Sequence, residues 1–173
     1  SPLVIFLENP RENPVYKQLR VGRHGKEFYM YKFRTMHVGA DAMLDELSSQ
    51  NEMNGPVFKM KDDPRITRVG KILRKLSLDE LMQFFNVFKG DMSLVGPRPP
   101  LPREVLFYTD YQKLRLLVTP GLTGYAQVNG GYSLKPEEKI IYDMEYIKRQ
   151  SVLLDMQCLL KTVHTVFSRE GAR

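Results

Sequence analysis

The stretch from Thr67 to Phe88 does most to limit what this chain can become. From Thr67 to Leu76 it reads Thr-Arg-Val-Gly-Lys-Ile-Leu-Arg-Lys-Leu. On a helix, Val69, Ile72, Leu73 and Leu76 share one side, and Arg68, Lys71, Arg74 and Lys75 share the other. A basic amphipathic helix suits an anionic membrane surface or a phosphate-rich ligand, although a solvated outer face is the commoner use. Ser77-Leu-Asp-Glu80 follows as a capping box, in which Ser77 accepts from a first-turn N–H and Glu80 reaches back to the cap. The helix it opens is expected to pack Leu78, Leu81, Met82, Phe85 and Phe88 on one side, with Asp79, Gln83 and Asn86 on the polar side. Asp79 and Glu80 then lie in the first turn, where free N–H groups and the helix dipole favour negative charge. Stabilising a helix start is a sufficient reason for Glu80 taken alone.

Around this centre the chain reads as a globular domain. Its 173 residues suit one domain, and 26 Lys+Arg against 20 Asp+Glu leave a net charge of +6, which favours an anionic partner. Cys158 is the only cysteine, which excludes an internal disulfide and a cysteine-built zinc site. His24, His37 and His164 lack metal-ligand spacing. No apolar run reaches the roughly 18 residues of a membrane-spanning helix, and no signal peptide is evident. The chain therefore reads as a reduced, cytoplasmic-side domain. Residues 2–7, Pro-Leu-Val-Ile-Phe-Leu, read either as the tail of a longer hydrophobic element or as a short core-docked arm.

Along the chain, 15–21 and 26–35 form a predicted hairpin with Gly22 and Gly25 between the strands. Helices are expected over 40–50, 102–117, 136–149 and 152–167. Gly55-Pro56 and Asp62-Asp-Pro64 punctuate a loop, and Thr119–Gly124 and Asn129–Gly131 read as turns. The fold class is α+β, a single compact helix-rich domain with a small β-hairpin. On the last helix Leu153, Met156, Leu160, Val163 and Phe167 form an apolar stripe, for which docking onto the domain is the expected use.

The carboxylates also admit a chemical reading. An ionised Asp at a helix start can be a nucleophile toward phosphorus when the substrate's charge is neutralised, by Arg74, by Lys75 or by a divalent cation held at Glu80. Downstream, Gly96-Pro-Arg-Pro-Pro100 holds Arg98 between residues of fixed φ. That can aim a guanidinium at phosphate, or leave it on a rigid structural loop.

Taken together, these segments resemble the bacterial sugar transferases, the monotopic polyprenyl-phosphate phosphoglycosyl transferases. The resemblance runs through Lys32-Phe-Arg-Thr-Met36, Asp63-Pro-Arg-Ile-Thr-Arg-Val-Gly-Lys71 and Leu73–Val87. It continues through Lys89-Gly-Asp-Met-Ser-Leu-Val-Gly-Pro-Arg-Pro99 and Pro120–Gly130, covering about residues 9–167 in order. It implies a membrane-associated, monotopic α+β domain, not a Rossmann fold, spanning residues 1–173, with 1–8 the end of a truncated re-entrant membrane helix. The implied reaction moves a sugar-1-phosphate from a UDP-sugar to polyprenyl (undecaprenyl) phosphate with release of UMP. It would initiate polysaccharide or glycoconjugate synthesis at the cytoplasmic face of the bacterial inner membrane.

By the same resemblance Asp79 is the nucleophile of a covalent aspartyl-phosphosugar intermediate. Glu80, with Asp79 beside it, holds Mg²⁺. Arg74 and Arg98, with Lys32 and Arg34 of the first motif, bind substrate phosphate, and Asp155 matches a late acidic residue. One departure stands out: where many members carry an arginine after Val128-Asn-Gly130, this chain has Gly131, so either Arg149 or another basic residue substitutes or nucleotide binding differs here. Besides UDP-sugar and polyprenyl phosphate, the anionic leaflet is an expected partner, met by the basic helix from Thr67. Two other readings remain, a noncatalytic membrane-surface scaffold and a basic nucleic-acid-binding module. The intact Asp79-Glu80 pair speaks against the first. The lack of a helix-turn-helix, zinc or RNP-type pattern speaks against nucleic acid as a partner.

Overall fold

A computed structural model describes Ile5, residues 13–40, 42–43 and 63–168. The expected end of a re-entrant helix at 1–8 (Ile5 apart), the helix over 40–50 past its first residues and the Gly55-Pro56 punctuation lie outside the described residues, as does the Phe167 side chain.

Two strands, β1 (Val15–Val21) and β2 (Glu27–Phe33), pair as a two-stranded sheet around a single 3-10 turn at Arg23–Gly25. Helix α1 spans Arg68–Lys75. A 3-10 stretch at Leu78–Gln83 leads into α2 (Phe84–Phe88) and strand β3 (Ser93–Val95). Short helices α3 (Pro102–Val105) and α4 (Asp110–Lys113) and a 3-10 turn at Leu114–Leu117 precede strand β4 (Gly121–Thr123). Then come α5 (Tyr125–Val128), a 3-10 turn at Gly131–Ser133, and the long helices α6 (Pro136–Arg149) and α7 (Val152–Ser168). This is an α+β chain, rich in helix, with two small sheets among the described residues and no doubly wound sheet.

The described residues gather into two compact units: one takes those of Ser1–Tyr16 and Lys32–Leu81, the other Lys17–Tyr31 and Met82–Ala172. In the first unit, α1 starts at Thr67, whose hydroxyl accepts from Gly70 N at 2.8 Å. Arg74 and Lys75 occupy its last turn, where the helix dipole favours cations. Thr67 N donates to Thr35 O at 3.0 Å, and Met36 pairs with Ile66 as an antiparallel bridge. The buried Asp63 carboxylate takes Arg65 through Nε and Nη2, fixing the turn that enters α1.

In the second unit, β3 and β4 run parallel in the register Ser93–Gly121 and Val95–Thr123. A Cβ on Gly121 would sit 2.1 Å from Gly96 N, so only glycine lets these segments approach so closely. Val95, Tyr146, Leu154 and Cys158 form the core there, with Tyr125, Val128, Ile147 and Leu159 against it. A smaller cluster joins Phe28, Met30 and Met92 with Val87.

Five expectations are corrected. Ser77 is not an N-cap: its φ is +54°, and its N–H donates to Arg74 O at 3.0 Å. It is thus the left-handed residue that closes α1. Among the described residues its hydroxyl caps no helix, and the Glu80 carboxylate goes to Lys32. The helix that follows is inside out. Phe85 is 60% and Phe88 89% exposed, whereas Gln83 is buried and Asn86 is 0% exposed. The cause is that Asn86 serves the backbone of β2: its Oδ1 accepts from Tyr31 N at 3.1 Å, and its Nδ2 donates to Tyr29 O at 2.7 Å. The stripe on α7 is not docked, because Leu154 and Cys158 face the core while Leu153, Met156, Leu160 and Val163 are exposed. Finally, Thr119–Gly124 contains β4, and 102–117 is broken into α3, α4 and a 3-10 turn.

Candidate active site

The first unit brings four of the expected residues together. Lys32, next to last in β2, donates from Nζ to Glu80 Oε1 at 2.7 Å. Arg74, in the last turn of α1, donates from Nε to Thr35 Oγ1 at 2.9 Å, which ties the base to the segment carrying Lys32. The left-handed Ser77 turns the chain back so that Asp79 and Glu80 fall in the 3-10 stretch immediately after α1. Both carboxylates are part-buried.

Asp79 feels all three neighbours. Burial raises its carboxyl above its ordinary value; Lys32 pulls it down, the adjacent Glu80 charge raises it, and Arg74 lowers it again. Burial wins, so this carboxylate is less readily ionised than one in water, and its ionisation depends on the two bases held beside it.

The closeness of α1 to the Thr35 segment depends on Gly70, where a Cβ would lie 2.1 Å from Thr35 O. Thr35, buried at 6% exposure, and Gly70 are structural parts of this site that the sequence reading passed over. The one available signal was a glycine inside an otherwise helical pattern.

The remaining expected residues lie elsewhere. Arg34 belongs to the same unit, where Nε donates to Asn13 O at 2.9 Å and the guanidinium stands over the Tyr16 ring at 5.7 Å. Arg98 belongs to the second unit and is part-buried in the Gly96–Pro100 loop. Asp155, in the first turn of α7, accepts from Tyr146 OH at 2.7 Å; the same hydroxyl reaches Val95 O at 3.3 Å. Its visible work is to anchor α7 to the core. Near Gly131, whose φ is +51°, Lys161 Nζ donates to Asn129 Oδ1 at 2.8 Å, whereas Arg149 pairs with Glu145 at 2.6 Å.

Adjacent carboxylates with Lys32 and Arg74 beside them are an arrangement chemically able to act on a phosphorylated substrate, one group attacking and the others balancing charge. The chain belongs to the bacterial sugar transferase family, whose model matches residues 2–169. It is 45% identical over 160 residues to the galactosyl transferase CpsE of Streptococcus agalactiae serotype III (strain NEM316), a match covering 92% of this chain and 36% of that protein. It is 43% identical over 184 residues to the undecaprenyl-phosphate galactose phosphotransferase of Salmonella typhimurium, covering 99% of this chain and 38% of that one. It is also 42% identical over 184 residues to the UDP-N-acetylgalactosamine-undecaprenyl-phosphate N-acetylgalactosaminephosphotransferase of Aeromonas hydrophila, covering 100% and 40%. The chain thus spans between 36% and 40% of the length of these relatives. Among the described residues no helix is long and apolar enough to cross a membrane.

Proposed function

We propose that this chain is the catalytic domain of an enzyme that moves a sugar-1-phosphate from a UDP-sugar to undecaprenyl phosphate at the cytoplasmic face of the bacterial plasma membrane. The observation that carries this reading is the placement of part-buried Asp79 beside Glu80, Lys32 and Arg74. The relatives named for transfer of galactose or N-acetylgalactosamine phosphate to undecaprenyl phosphate support the donor and acceptor classes.

In the first step the Asp79 carboxylate attacks the phosphorus that bears the sugar. The bond from that phosphorus to the bridging oxygen breaks, and UMP leaves with the electron pair. In the second step a phosphate oxygen of undecaprenyl phosphate attacks the same phosphorus. The acyl-phosphate bond breaks, the undecaprenyl diphosphate sugar departs, and Asp79 is restored as a carboxylate. Lys32 and Arg74 keep Asp79 ionised and offset charge on the donor; Arg98 meets substrate phosphate as well.

No cluster of three or more His, Cys, Asp or Glu side chains able to hold a metal exists among the described residues. Asp79 and Glu80 still suit Mg²⁺, which typically takes one or two carboxylates and completes its shell with water and substrate phosphates. When bound, the ion would supply Lewis-acid stabilisation of charge on the transferring phosphate. A lipid acceptor also fits a chain whose Phe85 and Phe88 face outward, since apolar side chains on that side are at home against a membrane.

Intact-protein mass spectrometry tests the reading, after incubation with UDP-galactose or UDP-N-acetylgalactosamine and Mg²⁺ but no acceptor. An adduct of phosphosugar mass on Asp79 is expected, chased off by undecaprenyl phosphate and absent from Asp79→Asn. An adduct that maps elsewhere, or that survives in Asp79→Asn, would remove Asp79 from the role of nucleophile.

A further inference from the structure

The loop Gly96-Pro-Arg-Pro-Pro100 has almost no backbone donors, because residues 97, 99 and 100 are prolines. Gly96 N donates to Thr123 O at 2.9 Å; beyond it the loop is held by its carbonyls, and every one from Pro97 to Pro100 is taken. Pro97 O accepts from Gly121 N at 2.9 Å and Pro100 O from Val21 N at 3.0 Å. The two carbonyls between them accept from arginine side chains: Arg98 O from Arg115 Nη2 at 3.1 Å, and Pro99 O from Arg20 Nη1 at 2.8 Å.

Both arginines are themselves fixed. Arg20, 7% exposed, donates from Nε and Nη2 to Gln18 Oε1 at 3.2 and 2.6 Å. Arg115 lies 2.6 Å from Asp143 Oδ2 in a pair whose side chains are 11% and 4% exposed. It also donates from Nη1 to Tyr108 OH at 2.8 Å and stands over that ring at 5.7 Å.

The geometry has a direct consequence for Arg98. Tethering Pro97 O fixes the peptide plane before its Cα, and tethering Arg98 O fixes the plane after it. Together they set both backbone torsions of Arg98 and hence the direction in which its side chain leaves the loop. A buried ion pair is a poor source of stability, since desolvation consumes most of its attraction, but it holds a geometry well.

We infer that Arg115, held by Asp143, and Arg20 are positioning residues for Arg98, acting through the carbonyls of Arg98 and Pro99. This rests on the reading that Arg98 meets substrate phosphate. Two perturbations loosen the loop. Arg115→Met combined with Asp143→Leu removes one tether without stranding a buried charge. Arg20→Lys keeps the charge but loses the fork that holds Pro99 O and Gln18 together, and it carries the same test if the first variant does not fold.

Each is made with Arg98 intact and in an Arg98→Ala background. UMP release is measured with undecaprenyl phosphate and UDP-galactose or UDP-N-acetylgalactosamine, together with thermal unfolding. With Arg98 present, KM for the UDP-sugar should rise about tenfold, as expected for a misplaced binding group, at a nearly unchanged melting temperature. In the Arg98→Ala background the same changes should alter UMP release by less than about twofold, because positions acting through one group are not additive. If Arg98→Ala is impaired but the folded loop variants match the unsubstituted protein, the positioning role fails alone. Equal losses in both backgrounds would also overturn it, since the tethers would then act on something other than Arg98. If Arg98→Ala releases UMP at the unsubstituted rate, the role given to Arg98 fails and this inference with it.

Discussion

Gly70→Ala sets two physical effects against each other, and the structure decides between them. Alanine in place of glycine inside a helix normally stabilises it by roughly 0.8–1 kcal/mol. Here the added Cβ would sit 2.1 Å from Thr35 O, 2.8 Å from Thr35 C and 2.9 Å from Thr35 Cα, all backbone atoms that no rotamer change can move. An unstrained carbon–oxygen contact is about 3.3 Å, so α1 and the Thr35 segment must part by roughly 1 Å. Overpacking of this kind costs about 1–3 kcal/mol. Parting also stretches the Thr67 N to Thr35 O bond, now 3.0 Å, whose net worth is about 1 kcal/mol. The balance is a destabilisation of about 1–3 kcal/mol, or a fall in melting temperature of roughly 3–10 °C for a chain of this size. Turnover should fall further than stability alone explains, because Arg74 reaches the Asp79 site through the same Thr35. Thermal unfolding followed by circular dichroism, with UMP release measured well below the transition, checks both. A melting temperature equal to or above that of the unsubstituted protein would show that helix propensity wins and that the close approach is not required.

Ser77→Gly should raise stability by about 0.5–1 kcal/mol, because glycine adopts the left-handed conformation without a Cβ penalty. A Ser77 that capped the following helix would instead lose a few tenths of a kcal/mol on the same change, so the sign of the shift in melting temperature settles its role. Asp143, pushed up to about 6 from the ordinary 3.8 by burial, with Arg115 and Lys139 pulling it back, gives a pH test. Between about pH 4 and 6 the folded chain keeps a proton that the unfolded chain has released, so this group's contribution falls as pH rises through that window, by up to about 3 kcal/mol. Melting curves from pH 4 to 7 should lose that slope in Asp143→Asn; parallel curves for the two proteins would refute the assignment. Asp63 does not confuse the result: burial raises its carboxyl, but the bonds and charge of Arg65 outweigh this and hold it below its ordinary value. Its contribution is therefore lost only as pH falls below about 4.

Periodicity made the long elements legible. The helix expected over 136–149 is α6, that over 152–167 is α7 to within one residue, and the hairpin strands coincide with β1 and β2 to within two. The vicinal carboxylates and Arg74 before them were legible too, because nearness in sequence keeps them together, whereas Lys32 reaches Glu80 from 48 positions away. What escaped was set by partners distant in sequence. β4 looked like a turn because its residues pair only once β3 lies parallel beside them with glycines at the contact. The inverted α2 escaped because a pattern of polar and apolar residues says which share a face, not which face is buried. Asn86 turned inward to satisfy the backbone of β2. Arg20 and Arg115 left no trace in any motif, since their partners are main-chain carbonyls that every sequence possesses.

The electrostatics of Asp79 separate two roles for Lys32 that activity alone would confuse. As a substrate binder, Lys32 would affect affinity for the UDP-sugar and leave the ionisation of Asp79 untouched. The structure gives it a second task, because its charge is the largest influence opposing the rise that burial imposes on the Asp79 carboxyl. Only the ionised form attacks phosphorus, so the acid limb of adduct formation should follow this group. Lys32→Met removes the opposing charge and leaves Glu80 without its ammonium partner. Both changes push the Asp79 carboxyl upward, and the acid limb should move to higher pH. The measurement is single-turnover adduct formation at saturating UDP-sugar and saturating Mg²⁺ across pH 4 to 8, read by intact mass. An acid limb displaced to higher pH in Lys32→Met is expected. An acid limb unmoved by Lys32→Met, with only the concentration needed for saturation changed, would mean that Lys32 serves the substrate and not the nucleophile.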